Sequence, residues 1–190
     1  MRVTGGEWRS RRLRGPSKGQ KIRPTPDAMR ERSFAVLGNT VANARMLDLF
    51  AGTGAIGIEA LSRGAATAVF VEAHRSAVKL IHRNLESLGI GRDRSTVLIL
   101  PADRAITELK RGNRIFDLIW ADPPFESWSE GLAVLNAVVE AGLTEDEATL
   151  CLECPAEAAV EEVLPATLEI DRDLKGGASR VVILRVFSHG

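Results

Sequence analysis

The chain has 190 residues, 45% hydrophobic and 26% charged, a composition that suits one folded domain with a small appendage rather than a disordered or fibrous chain. No apolar run approaches the ~20 residues that span a bilayer, and Met1-Arg2-Val3-Thr4-Gly5-Gly6 lacks the apolar core of an export signal, so a soluble cytoplasmic protein is expected. The zero net charge conceals a division: residues 1–34 carry a net +7 and the rest a net −7, which fits a basic arm meeting a polyanion or a solvated, partly disordered tail.

Residues 1–24 are rich in Arg and Gly, with Val3 and Leu13 flanking a Gly5-Gly6 turn signal. They read as a short β-hairpin or flexible arm that ends at Pro24 and Pro26. Asp27 is placed to cap a helix over 28–37, with Met29, Phe34 and Leu37 as its apolar positions. Strands and helices then alternate. Strands are predicted at 46–50, 68–71, 97–100 and 115–120, and helices at 55–63, 76–88 and 104–109. A helix at 132–141, a strand at 148–153 and a short helix at 157–163 follow. Two last strands, 167–172 and 180–187, flank a Gly176-Gly177 hairpin signal. The pattern predicts an α/β, Rossmann-like fold: a mainly parallel seven-stranded sheet with an antiparallel C-terminal edge. A hairpin arm (1–24) would be appended to a domain spanning 25–190.

Cys151 and Cys154 form a C-x-x-C inside the predicted strand 148–153 and its flank. Residues three apart in a strand point to opposite faces, and no second Cys or His pair completes four ligands. They read as small buried apolar residues. His74, His82 and His189 are scattered, so no metal site is expected.

The first strand-to-helix turn is Leu47-Asp48-Leu49-Phe50-Ala51-Gly52-Thr53-Gly54-Ala55-Ile56-Gly57, where three glycines match G-x-G-x-x-G. That pattern alone fits any ligand that approaches the turn closely. Asp48 discriminates between ligands. A carboxylate repels the pyrophosphate of NAD or FAD but attracts the ammonium and sulfonium of S-adenosylmethionine. Glu72, ending the second strand, is placed to accept from a ribose diol. Asp103, after the third strand, is placed to accept from an adenine amino group, to cap the helix that follows, or both.

Asp122-Pro123-Pro124-Phe125 follows the fourth strand and opens into the same crevice. Two prolines remove two backbone donors, leaving a stiff loop of carbonyl oxygens beside the Asp122 carboxylate. Such an acceptor surface suits a planar NH2 group, and Phe125 offers a ring for an unstacked base. Alone, the tetrapeptide reads better as a strand end with Phe125 in the core; its position after Asp48, the glycines and Glu72 turns the reading to the clamp.

The segments LDLFAGTGAIGIEAL, VFVEA and WADPPF resemble class I methyltransferases that modify amino groups. With MRVTGGEWRSRRL, RPTPDAMRERSFAVL, LSRGA and NLESLG, the chain resembles the RsmD-type 16S rRNA guanine-N2 methyltransferases over nearly its whole length. It departs from them at Ile22 and Pro26, where threonines are usual, and at Arg32-Ser33-Phe34-Ala35. The resemblance implies S-adenosylmethionine as cofactor and S-adenosylhomocysteine as product, with no metal. The substrate would be a guanine of 16S rRNA on an assembling 30S subunit, modified by a monomeric enzyme that needs no membrane. It implies cofactor contacts from Asp48, Phe50, Ala51, Gly52, Thr53, Gly54, Glu72, Ala73, Ala102 and Asp103, and a catalytic clamp of Asp122, Pro123, Pro124 and Phe125. Arg9, Arg11, Arg12, Arg14, Arg23, Thr25 and Arg30 would meet RNA. The residues leave open an adenine-N6 or protein-amide target, or a non-catalytic RNA-binding assembly factor.

Overall fold

Short strands pair in parallel, and the central ones, over 45–49, 67–71 and 116–121, are largely buried, as strands covered by helices on either side must be. A computed structural model describes residues 1–16 and 26–187. Its strands are β1 (Arg45–Leu49), β2 (Thr67–Val71), β3 (Ser95–Leu98), β4 (Phe116–Ala121), β5 (Thr144–Pro155), β6 (Leu168–Gly176) and β7 (Ser179–Val186). The helices are α1 (Asp27–Leu37), α2 (Ala55–Ser62), α3 (Arg75–Ser87), α4 (Ala102–Arg111) and α5 (Trp128–Glu140). The sheet order is β3-β2-β1-β4-β5-β7-β6, parallel except for β7, which runs antiparallel to both its neighbours. This is the expected seven-stranded α/β architecture, and reversal of strand order at β1/β4 opens a crevice at the strands' carboxyl ends.

Period-2 alternation divides the core into two layers. One face of the sheet packs Val3, Leu13, Phe34 and Leu37 with Ile58, Leu61, Ile81 and Leu85 of α2 and α3. The other packs Leu109 of α4 with Leu132, Leu135 and Val138 of α5. Cys151 belongs to the first layer and Cys154 to the second, both buried and unbridged. No described helix is long and apolar enough to cross a membrane.

The N-terminal segment forms a tight hairpin in which Arg2 pairs with Arg12 and the Val3 amide donates to the Arg11 carbonyl at 3.0 Å. It is docked, not free. Ser62 Oγ donates to the Gly5 carbonyl at 2.6 Å, and Glu59 Oε2 accepts the Thr4 amide at 2.8 Å. A Cβ at Gly6, whose φ is +76°, would stand 1.8 Å from the Ser62 carbonyl oxygen, so only glycine permits this approach.

Several local expectations are corrected. Asp27 does not cap α1: the helix starts at Asp27 itself behind Pro26, and its carboxylate bonds Arg30 at 2.9 Å. A guanidinium one turn on is a stronger donor for it than a backbone amide. Asp103 likewise lies in the first turn of α4, with Pro101 at the capping position. The predicted helix at 157–163 is a single 3-10 turn, Val160–Glu162. Pro155 and Pro165 leave too few residues between them to repay helix nucleation. β5 begins at Thr144, four residues early, because Phe116 pairs with Thr144 ahead of a bulge. Arg45 bridges Asp117 at 2.7 Å and Glu145 at 2.6 Å across that start.

Candidate active site

The turn after β1 is shaped by left-handed backbone at Phe50 (φ 61°), Gly52 (φ 55°) and Gly54 (φ 77°). Gly57, the third glycine of the motif, serves packing: a Cβ there would lie 2.4 Å from the Phe70 ring. Two carboxylates organise this turn. Glu72 Oε2 accepts the Gly52 amide at 2.9 Å, and Asp48 Oδ2 accepts the Gly57 amide at 2.9 Å. Glu72 Oε1 also accepts the His74 amide at 2.7 Å. The amides that a pyrophosphate would need are therefore already engaged by carboxyl groups, which suits a cationic ligand and opposes a dinucleotide.

The crevice is one cavity of about 1250 Å3, larger than the ~300–1,000 Å3 usual for one small ligand. It brings together Asp48, Phe50, Ala51, Gly52, Thr53, Glu72, Ala73, Ala102, Asp103 and the whole of Asp122-Pro123-Pro124-Phe125. Gly54 does not line it. Its φ of +77° shapes the turn, and it stands at the N-cap of α2. The cavity also includes Leu100, Pro101, Glu130, Val134 and Glu153, which lie outside any motif. Among the described residues no group of three or more His, Cys, Asp or Glu could hold a metal ion.

Asp48 is 1% exposed. Burial raises its carboxyl to about 7, against the Gly57 hydrogen bond and with a further push from the Glu72 charge. The proton is thus loosely held at neutral pH, and a cation in the cavity would remove it.

The clamp is backed by a glycine that sequence reading passed over. A Cβ on Gly131 of α5 would stand 2.6 Å from Pro123 Cγ and 3.0 Å from Leu152 Cδ1. The Pro123 ring is fixed to its own backbone and cannot swing aside, so Gly131→Ala is expected to displace the Pro123 carbonyl. Misplacement of this kind costs on the order of a hundredfold in turnover. Single-turnover methyl transfer alongside a cofactor titration checks it, since the Gly-rich turn on the other side of β4 should bind as before.

Arg9, Arg11, Arg12 and Arg14 are all exposed on the hairpin. Arg75, Lys79 and Arg83, spaced four apart, are exposed on α3, and Arg11 of the hairpin donates to the Ser87 carbonyl at the end of that helix at 3.2 Å. Arg30 is corrected: it is 0% exposed and cannot meet a polyanion as placed. It donates to Glu59 at 3.2 Å, to Asp27 and to the Arg2 carbonyl, binding hairpin, α1 and α2 together. Arg23, Thr25 and the unusual Ile22 lie outside the described residues. The hairpin is tied to the cofactor turn by buried Asn84. Its Nδ2 donates to the carbonyls of Thr53 at 2.9 Å and Arg14 at 3.1 Å, while Oδ1 accepts the Arg14 amide at 2.8 Å.

A family model described as conserved hypothetical protein 95 matches residues 1–185. The chain is 34% identical over 179 residues to the Escherichia coli K12 protein named ribosomal RNA small subunit methyltransferase D, covering 93% of this chain and 85% of that one. It is similar to the solved Escherichia coli protein yhhF, with 29% identity, a TM-score of 0.81 and coverage of 98% and 97% of the two chains. A solved hypothetical protein of Thermus thermophilus gives 29% identity, a TM-score of 0.79 and coverage of 98% and 99%.

Proposed function

This chain belongs to the conserved hypothetical protein 95 family, the RsmD-type methyltransferases, and from that premise we propose that it transfers a methyl group from S-adenosylmethionine to the N2 amino group of a guanine in 16S rRNA. The substrate is that RNA on an assembling 30S subunit, and the enzyme works as a monomer. The observation carrying this reading is the shared cavity, in which an acceptor-only clamp faces a turn whose amides are already occupied by carboxylates.

S-adenosylmethionine, when bound, supplies an electrophilic methyl on a sulfonium and departs as the neutral thioether S-adenosylhomocysteine. Asp48 would offer negative charge to its cationic end, Glu72 would accept from the ribose, and Asp103 and Ala102 would meet the adenine, all four lining the one cavity. Asp122 and the Pro123 carbonyl each accept one N–H of the target amine, which leaves the nitrogen lone pair directed at the methyl carbon. As the N–C bond forms, positive charge grows on nitrogen beside the Asp122 carboxylate, and the proton is released once four substituents are in place. Phe125, half-buried at the cavity wall, provides a face for the unstacked base. The exposed arginines of the hairpin and the cations of α3 supply sequence-independent attraction for the RNA backbone.

Incubation with labelled S-adenosylmethionine and 30S subunits lacking the modification should label one guanine, identified by nucleoside digestion. Label in adenine or in protein, or no transfer to any particle, would overturn the reading.

Cofactor binding should depend on pH through Asp48. Its carboxyl is raised in the fold, so it holds a proton where the unfolded chain is already ionised. Without ligand, stability from this group is lost as pH rises from the ordinary carboxylate range through about 7. A cationic ligand prefers the carboxylate, so its dissociation constant should fall as pH rises across the same window. Calorimetric titrations between about pH 5.5 and about pH 7.5 test this, with Asp48→Asn expected to flatten the profile.

A further inference from the structure

Glu153 lies on β5, is 3% exposed and lines the active-site cavity, yet belongs to none of the motifs that drew attention in the sequence. Strand register places it. One row of paired residues crosses the sheet as Phe70, Asp48, Trp120 and Cys151 on β2, β1, β4 and β5. Two residues further along the chains of β2, β4 and β5 come Glu72, Asp122 and Glu153, all three lining the cavity. Glu153 is thus one strand spacing, about 4.8 Å, from the level of Asp122 and three spacings, about 14 Å, from that of Glu72.

The strand order gives this row a direction. Asp103 follows β3, Glu72 follows β2, the Gly-rich turn follows β1 and the clamp follows β4. With Asp103 and Glu72 holding the adenosine, that end of the cofactor would lie over β3 and β2 and the clamp over β4, which leaves β5 beyond the clamp on the side away from the adenosine. The Glu153 backbone pairs with Val181 of β7, which holds that strand between two neighbours and makes the carboxylate part of a rigid wall.

We propose that Glu153 reads the target base by accepting the N1–H of guanine while Asp122 and the Pro123 carbonyl hold its N2 amino group; this rests on the function proposed above. The clamp alone accepts any planar NH2. A second carboxylate beside it demands a donor next to that amine. Guanine supplies one, since N1–H adjoins the N2 amino group. Adenine presents the acceptors N1 and N7 on either side of its amine, and a side-chain amide presents its own carbonyl, so each would set a lone pair against a buried negative charge. Two neighbouring carboxylates also disfavour each other when both are ionised, and a base edge donating to both relieves that repulsion. Guanine specificity is thereby assigned to a residue outside the motif that performs the chemistry.

The test compares 30S particles reconstituted with guanine or 2-aminopurine at the methylated position. 2-Aminopurine keeps the amino group and lacks the N1–H. The wild-type enzyme should prefer guanine in kcat/KM by about tenfold to a hundredfold, the worth of one hydrogen bond to a charged acceptor. Glu153→Leu should lose that factor on guanine, change little on 2-aminopurine and bring the ratio near one, with S-adenosylmethionine affinity unmoved. Glu153→Gln, which keeps one acceptor oxygen, should give an intermediate ratio. An unaltered ratio in both variants, or loss of cofactor binding together with activity on both substrates, overturns the proposal. A wild-type enzyme inactive on the guanine particle defeats the parent reading as well; an active one with an unmoved ratio defeats only the role of Glu153.

Discussion

Asp122→Ala is expected to lower turnover by about a hundredfold to a thousandfold, the usual penalty for deleting one preorganised group aimed at developing charge. Here the polarity is that of a growing cation, and the lost partner is an acceptor. The loss should fall equally on kcat and kcat/KM, because the interaction strengthens only as nitrogen becomes positive. Cofactor affinity should remain near wild type. The groups that organise the cofactor turn, Asp48 and Glu72, stand on β1 and after β2 and make their bonds to Gly57 and Gly52 without Asp122. Single-turnover rates and an equilibrium titration on the same variant separate the two quantities, and a collapse of cofactor binding would contradict the clamp assignment. Asp122→Asn retains one acceptor oxygen and should lie between alanine and wild type.

Glu59→Ala is expected to produce the largest loss of stability. Its carboxylate, 0% exposed, accepts the Thr4 amide at 2.8 Å, the Thr4 hydroxyl at 2.7 Å, Arg63 Nε at 2.8 Å and Arg30 Nε at 3.2 Å. Removing it takes one carboxylate from the buried Arg30 guanidinium, which keeps Asp27, and leaves two Thr4 donors without this acceptor; deleting one partner of a buried pair costs about 3–5 kcal/mol. For a chain of this size that corresponds to a fall of roughly 6–20 °C in Tm. Thermal unfolding followed by circular dichroism measures it. Glu108→Ala is the control, since the Glu108–Arg111 pair is 55% and 75% exposed at 3.7 Å. Surface pairs of that kind contribute about 0–1 kcal/mol. Equal losses from the two substitutions would refute the buried-hub account.

Much of this was legible in the residues. β1, β2 and β4 are short, mainly apolar runs, the signature of strands covered on both faces, and their ends lie within a residue or two of expectation. The glycine turn, Glu72 and Asp122-Pro123-Pro124-Phe125 all line one cavity because each follows a parallel strand, and parallel strands end on the same side. What escaped has a common cause in partners distant along the chain. Arg30 looks like one more cation of a basic arm until Glu59 arrives from α2 to neutralise it. Asn84 sits in an ordinary helix and becomes a tie only when Arg14 and Thr53 approach it. Gly131 is an unremarked helix glycine until Pro123 packs against it, and Glu153 gains meaning only from the register of β4 with β5.

The two cysteines, placed on opposite sides of β5, give the molecule a built-in pair of opening reporters. Burial pushes both thiols well above the ordinary thiol range, so neither forms an appreciable thiolate while its layer is closed. Cys151 becomes alkylatable when the hairpin side of the sheet separates, and Cys154 when the α4–α5 side does. Modification rates at the two sulfurs, resolved by mass spectrometry, therefore time the two halves of the core independently and rank them as separate cooperative units or as one.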